Sequence, residues 1–354
     1  MLTKISYKKI ARFLLLTILI LNVDFLTSQK AEAAEINCKI SDSKCYENYF
    51  ISLIKKGSTI ENTLREFQRV SKSTNGINGQ CNNIGRSIGK SLYLKYGDEV
   101  LKYHDLTCGE PYAYGFMAEM GAKDRSLKLI DKLVKYCRED SSVGMCAYGV
   151  GISQSKNIID AGLIQKICES NFKPSKFELT LPYEVRAEGI CLLGWVSGRN
   201  NVLPSTYFTS IKSAEKICDN TKNEGRVACL GEATFAYTYI GNPNSEVRIK
   251  RIYELKERCK KDASSTCYRF VGKALDDHFL YSLNINLDDI KTKNQVKNLV
   301  SDLCSLKSNY CLEGMINAHN VHRGKDDSRK LCATLDKKFV SICMNIVDGK
   351  VEVK

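Results

Sequence analysis

Apolar residues in the stretch 126–154 recur at the three- and four-residue spacing that is typical of an amphipathic helix. Asp124 stands just before this stripe, where a helix N-cap is expected. A polar loop follows at 139–142, and a second apolar segment begins near Cys146. The pattern predicts a helical hairpin with one cysteine on each side of its loop. The stripe of its first helix consists of Leu127, Ile130, Leu133, Val134 and Cys137.

The same unit of helix, cysteine, loop, cysteine and helix recurs toward the C-terminus. The first cysteines of successive units lie 31, 50, 41, 45 and 28 residues apart. Such spacing is typical of helical solenoids. Gly85, Gly89, Gly149 and Gly151 indicate close helix crossings, since glycine is otherwise unfavourable inside a helix. We therefore predict an all-α fold of irregular antiparallel helical hairpins in a solenoid-like array.

The N-terminal segment 1–33 has the features of a secretory signal peptide. Four basic residues precede an apolar core of 11 residues at 13–23, and Ala31-Glu32-Ala33 fits a cleavage site. An uncleaved N-terminal anchor is the alternative, and no later stretch is long and apolar enough to span a bilayer. We predict export to the periplasm or the extracellular space. The absence of Asn-x-Ser/Thr sites and the abundance of Lys, Asn and Ile favour a bacterial envelope protein.

All 16 cysteines follow the predicted signal peptide, and an even, high number in an exported chain indicates disulfides. The absence of any Cys-x-x-Cys argues against cysteine metal clusters, thioredoxin-type chemistry and covalent haem. We predict that each cysteine pairs with its nearest neighbour in the sequence, across the mouth of a hairpin. The predicted pairs are Cys38–Cys45, Cys81–Cys108, Cys137–Cys146, Cys168–Cys191, Cys218–Cys229, Cys259–Cys267, Cys304–Cys311 and Cys332–Cys343.

The formal net charge of the chain is +13, of which the predicted signal peptide carries +3. The remaining basic residues are spread along the chain, which is the distribution expected for solvent-exposed faces of helices. Contact with an anionic polymer, a lipid surface or an acidic protein is the functional alternative. No nucleic-acid recognition motif is present, and we expect no nucleic-acid partner.

The segment 170–182 interrupts the repeat, because Pro174 and Pro182 forbid a continuous helix. It is either a simple insertion or a binding loop, since long loops on rigid scaffolds often carry function. Its basic and aromatic residues, the candidate binding residues, are Phe172, Lys173, Lys176 and Phe177.

The chain has four histidines, of which His319 and His322 lie three residues apart and therefore on one face of a helix. Glu313 precedes them by nearly two turns, but the zincin pattern is absent. We expect ordinary surface histidines, with no metal site and no cofactor. Metal storage or sensing would require these histidines to meet in space.

No catalytic motif stands out in the sequence. Asp276-Asp277-His278 suggests acid–base chemistry but is explained equally by a polar helix face or helix end. Asp288-Asp289 and Asp326-Asp327 suit helix starts, where acidic side chains favour the helix dipole. Neither a Gly-x-Ser-x-Gly elbow nor a Walker-type glycine loop occurs. We therefore assign no catalytic residues.

The block from Gln80 to Gly121 resembles an uncharacterised family of exported bacterial helical proteins. The family pattern begins with Cys-His, continues with a histidine beside Gly and Arg, and ends in Cys-Gly-Gly-Tyr-Tyr-His-Gly. Its histidines are replaced here by Asn82, Arg86 and Tyr114. The resemblance implies that any metal binding by those histidines is lost. The matching positions are Cys81, Gly85, Arg86, Gly89, Tyr96, Gly97, Cys108, Tyr112, Tyr114 and Gly115.

The segment from Cys191 to Gly198 is similar to secreted cysteine-rich repeats of the tetratricopeptide-like class. That resemblance implies binding of another molecule on a concave helical face.

Taken together, the patterns divide the chain into a signal peptide (1–33), an N-terminal helical module (34–123), hairpin repeats (124–348) and a tail (349–354). The favoured function is a non-catalytic exported binding or scaffold protein, whose partner is a protein or an anionic envelope polymer. The alternative is a hydrolase that acts on envelope material through a site that the sequence does not locate.

Overall fold

A computed structural model describes residues 38, 42–74, 80–139, 143–204, 207–241, 243–262, 264–283 and 285–350. From residue 42 onward the described residues belong to one compact unit. The predicted signal peptide and the end of the predicted tail lie outside the described residues. The predicted boundary between residues 123 and 124 stays a prediction.

The described residues form helices and connecting turns, without a strand, and the predicted all-α fold is confirmed. The first eight α-helices are α1 (Ser43–Lys55), α2 (Ile60–Ser73), α3 (Cys81–Tyr96), α4 (Pro111–Lys123), α5 (Lys128–Arg138), α6 (Val143–Gln154), α7 (Ala161–Asn171) and α8 (Ala187–Val202). The next eight are α9 (Ile211–Glu215), α10 (Asn223–Tyr239), α11 (Ser245–Asp262), α12 (Ser265–Asp277), α13 (Ile290–Leu303), α14 (Ser308–Arg323), α15 (Lys325–Thr334) and α16 (Lys337–Val347).

Short helices of other types complete the connections. The 3₁₀ helices are Gly97–Lys102, Glu178–Thr180, Tyr183–Val185 and Lys216–Cys218, and a π-helix spans His278–Leu283.

Eight helices pack one on the next in chain order, and we call them the central row. They are α3, α4, α6, α8, α10, α12, α14 and α16. Each remaining helix packs against a member of this row, for example α5 on α6 and α7 on α8. From α4 onward the row takes every second α-helix of the chain, as successive hairpins require, whereas α3 and α4 are consecutive. A regular solenoid repeat stays a prediction.

Reciprocal glycine contacts explain the closest crossings of the central row. They occur between α3 and α4, between α6 and α8, and between α12 and α14. In each crossing, a Cβ atom on either glycine would collide with a carbonyl oxygen three residues before the partner glycine. Only glycine permits this approach, because a larger residue would force the two backbones apart. The three pairs are Gly89 with Gly115, Gly151 with Gly194, and Gly272 with Gly314.

Disulfides join neighbouring cysteines along the chain as predicted, and most of the described ones join the end of one helix to the start of the next. Cys81–Cys108 differs, because Cys81 is the first residue of α3 and Cys108 lies in the turn before α4. In the described bridges the Cα atoms lie between 5.4 and 6.1 Å apart, which is ordinary for a disulfide. Nearest-neighbour pairing is confirmed for Cys81–Cys108, Cys137–Cys146, Cys168–Cys191, Cys218–Cys229, Cys259–Cys267, Cys304–Cys311 and Cys332–Cys343. Cys38 and Cys45 are also disulfide-bonded.

The dense set of disulfides places the protein outside the reducing cytoplasm. Within the part of the chain that the structure describes, no helix has both the length and the apolar character to cross a membrane.

One helix start differs from the sequence-based expectation. The helix α5 begins at Lys128 with Leu127 as its N-cap, and the Leu127 side chain is 66% exposed. Asp124 instead ends α4, and its carboxylate accepts a hydrogen bond from the backbone of Ser126. The prediction of Asp124 as the N-cap is therefore wrong, because the chain makes one more turn before the helix starts.

Candidate functional site

A groove with a volume of about 350 Å³ runs over four helices of the central row, α3, α4, α6 and α8. We call it the polar groove. Small residues form part of its lining, and we call them the floor of the groove. They are Gly115, Ala118 and Ala122 on α4 and Gly198 on α8. A volume of this size is at the lower end of the range for ligand pockets, roughly 300–1,000 Å³.

Cations outnumber anions along the walls of the polar groove. Arg86 and Lys90 come from α3, and Lys156 follows the end of α6. Glu119 of α4 faces them, with its carboxylate 3.6 Å from the Lys90 ammonium. Glu119 therefore offsets one of the three positive charges, and the groove remains electropositive.

Arg86 lies against the face of Tyr114, with its guanidinium carbon 5.5 Å from the ring centroid. Among the described residues, Arg86 has neither a hydrogen bond nor a carboxylate partner, and its Nε is buried. Tyr114 is only 2% exposed, and its buried hydroxyl also has no hydrogen-bond partner among the described residues. Two unpaired donors on one wall are costly, because buried polar groups are normally satisfied.

The Tyr114 hydroxyl is held in its protonated form. Burial raises the pKa of Tyr114 far above its ordinary value, and the nearby Tyr148 and Glu110 raise it further. The rings of Tyr114 and Tyr148 lie 5.1 Å apart. Tyr114 is therefore a hydrogen-bond donor at any pH the protein meets.

A second polar cluster lies on α10 and α12. Lys273 binds Glu232 at 3.0 Å and lies over the ring of Phe235 at 4.2 Å. Burial alone would lower the pKa of Lys273, but Glu232 and other nearby negative charges raise it. Burial raises the pKa of Tyr239, as does Glu232, whereas Arg86 of α3 lowers it.

His319 is fully buried, and the expectation of a surface histidine is wrong. Its Nδ1 lies 2.6 Å from Asp276, and its Nε2 lies 3.2 Å from Asp327. Burial by itself would lower the pKa of His319, but these two hydrogen bonds raise it to about 9. Asp327 is thus a partner of His319 as well as a residue of the first turn of α15. The side chain of His322 lies outside the described residues.

The other candidate chemical groups do not meet at one site. His278 is buried, and burial, followed by the charge of Arg248, lowers its pKa to about 4. Glu313 accepts a hydrogen bond from Arg269 at 2.9 Å. His104 is exposed and stacks on Tyr136 at 4.2 Å. Over the described ranges, no group of three or more His, Cys, Asp or Glu is placed to hold a metal ion.

The candidate binding loop is separate from the lining of the polar groove. Phe172 is 5% exposed and packs in the interior, so it cannot reach a partner in this conformation. Lys173, Lys176 and Phe177 are exposed, and Phe177 is 73% accessible. The structure thus places three of the four candidate residues at the surface.

The polar groove was not located from the sequence. Arg86 and Tyr114 stood out only as positions where the resembled family has histidines. One usable signal was the spacing of small residues in Gly115-x-x-Ala118-x-x-x-Ala122, which marks one face of a helix.

Comparisons with protein-family models, with curated proteins and with solved structures give no match to this chain.

Proposed function

We propose that this protein is a non-catalytic, exported binding protein and that the polar groove holds its ligand. The observation that carries the proposal is Arg86, whose side chain lines the groove, lies against the ring of Tyr114 and has no carboxylate partner among the described residues. An anionic ligand would supply the missing acceptor. The electropositive walls would attract it.

The histidines support binding rather than hydrolysis. His319 and Asp276 are both fully buried and lie outside the lining of the groove, so their hydrogen bond serves the fold. Hydrolysis of envelope material therefore becomes an outcome of the test below. We place the protein in the cell envelope or the extracellular space, in agreement with its disulfides.

The test blocks the groove without touching its charges. Ala118→Trp places a large side chain on the floor, and Lys128→Trp, at an exposed position of α5, is the matched control. The tagged, disulfide-intact protein is incubated with envelope material of the native host and recovered under mild conditions. We expect the wild type and Lys128→Trp to retain one stoichiometric ligand that Ala118→Trp does not retain.

Two results would contradict the proposal. Equal retention by Ala118→Trp would place the ligand elsewhere. Release of small fragments by catalytic amounts of the protein would establish the hydrolase.

A further inference from the structure

Resting on the proposed function, we infer that Arg86 recognises a carboxylate side chain on an extended acidic peptide segment lying along the polar groove. The first reason is the state of Arg86 itself. Its guanidinium is half-buried, and no acid among the described residues neutralises it. A guanidinium offers several N–H donors in a planar fork that matches a carboxylate.

The orientation of this fork is set before a ligand arrives. The ring of Tyr114 supports the guanidinium from one side at 5.5 Å, and Tyr148 packs against that ring. Tyr114 is buried in the contact between α4 and its neighbours, so it cannot swing away. A guanidinium fixed in this way loses little freedom on binding, which favours affinity.

The floor of the groove determines the shape of the ligand. Gly115 and Ala122 are seven residues apart on α4, which corresponds to about 10 Å along the helix axis. That length accommodates about three residues of an extended peptide. Ala118 and Ala122 are partly exposed, and their small side chains leave room for a main chain. Asn201 on the wall offers an amide donor and acceptor that suit peptide groups.

The charge distribution favours a peptide with one or two acidic residues over a polyanion. A polymer with a charge on every unit would require a row of unpaired cations. The groove instead has Lys90 beside Glu119, an exposed Lys156 and a single half-buried Arg86. A single carboxylate is therefore sufficient to pair with Arg86, the half-buried cation of the groove.

The experiment uses the full mature protein with intact disulfides and synthetic pentapeptides with blocked termini. The probes are Ala-Ala-Glu-Ala-Ala and its glutamine counterpart, with polyglycerol phosphate as the polymeric anion. Binding is measured by calorimetry or by fluorescence anisotropy of a labelled probe. We expect the glutamate peptide to bind at least about tenfold more tightly than the glutamine peptide. Only the glutamate carboxylate forms a hydrogen bond with Arg86 in which both groups are charged.

The decisive variant is Arg86→Lys, which keeps the charge but removes the planar fork. We expect it to lose at least about tenfold in affinity for the glutamate peptide and to leave the glutamine peptide unchanged. Lys128→Gln, which removes a charge at an exposed position of α5, is the control and should bind as the wild type does. Thermal unfolding of each variant establishes that the fold is intact.

Three results would overturn the inference. They are equal binding of the glutamate and glutamine peptides, wild-type affinity in Arg86→Lys, and tight binding of polyglycerol phosphate with none of the peptide. The proposed function is tested by a different result, namely whether Ala118→Trp abolishes retention of the envelope ligand. If that block works and the peptides do not bind, the groove is a binding site and only the acidic peptide is wrong.

Discussion

Nδ1 of His319 lies 2.6 Å from a carboxylate oxygen of Asp276, although the two residues are 43 positions apart in the sequence. The other ring nitrogen lies 3.2 Å from Asp327. These residues belong to α14, α12 and α15. A protonated imidazole donates to both carboxylates, so the three helices are held together by one cation between two anions.

This arrangement predicts a loss of stability at alkaline pH. The pKa of His319 is about 9 in the folded protein, against an ordinary value of 6.5 for the unfolded chain. The protonated ring of His319 therefore stabilises the folded state fully below pH 6.5, and this stabilisation is lost as the pH rises through 9. Denaturant unfolding at a series of pH values should show a decline of about 3 kcal/mol at most over this window.

Two variants isolate the source of this decline. His319→Gln should lower stability at neutral pH and flatten the profile between pH 6.5 and 9. His104→Gln replaces an exposed ring and should leave the shape of the profile unchanged. A wild-type profile without slope in this window would show that His319 is neutral in the folded protein.

The sequence predicted the helices and the disulfide partners because both depend on local spacing. In most of the described pairs, a cysteine near the end of one helix lies close to the cysteine near the start of the next. His319 was misjudged because Asp276 reaches it only through the contact of α12 with α14. The polar groove likewise depends on which faces of four helices meet, and a single helix pattern does not contain that information.

The crossing of α6 and α8 should not tolerate a side chain at its centre. A Cβ atom at position 151 would collide with the carbonyl oxygen of Cys191 and crowd the amide of Trp195. Gly151→Ala should therefore destabilise the protein by about 1–3 kcal/mol, because backbone atoms must move. The free energy of unfolding in guanidinium chloride checks this value.

Gly144→Ala, on the same helix, is the matched control. Its Cβ atom would lie 3.3 Å from the flexible end of Ile190. The gain from replacing a helical glycine, about 0.5–1 kcal/mol, should offset this contact or exceed it. A similar loss in both variants would mean that the crossing is not the cause.

The disulfides should differ in their contributions according to the length of chain they enclose. Cys81–Cys108 has a sequence separation of 27, and Cys304–Cys311 has a separation of 7. In the chain-entropy account, the longer loop contributes about 1 kcal/mol more, because it restricts the unfolded chain more strongly. Paired Cys→Ala variants, unfolded without reductant, measure the difference. A larger loss for the shorter loop would indicate that strain or packing dominates.

The connection between α7 and α8 is fastened by a buried ion pair, and breaking this pair should loosen the candidate binding loop. Glu184 accepts a hydrogen bond from Arg269 at 2.8 Å and another from Thr266 at 2.9 Å.

Glu184→Gln should lower the free energy of unfolding by about 1–3 kcal/mol. The loss is limited to this range because Arg269 retains Glu313 as a partner. Trypsin should then cleave after Lys176 faster than in the wild type, since local opening exposes the segment. Glu178→Gln is the control, because the Glu178 side chain forms its hydrogen bond with the neighbouring Ser175 and not with Arg269 or Thr266. Equal cleavage rates in the wild type and Glu184→Gln would show that the ion pair does not restrain the loop.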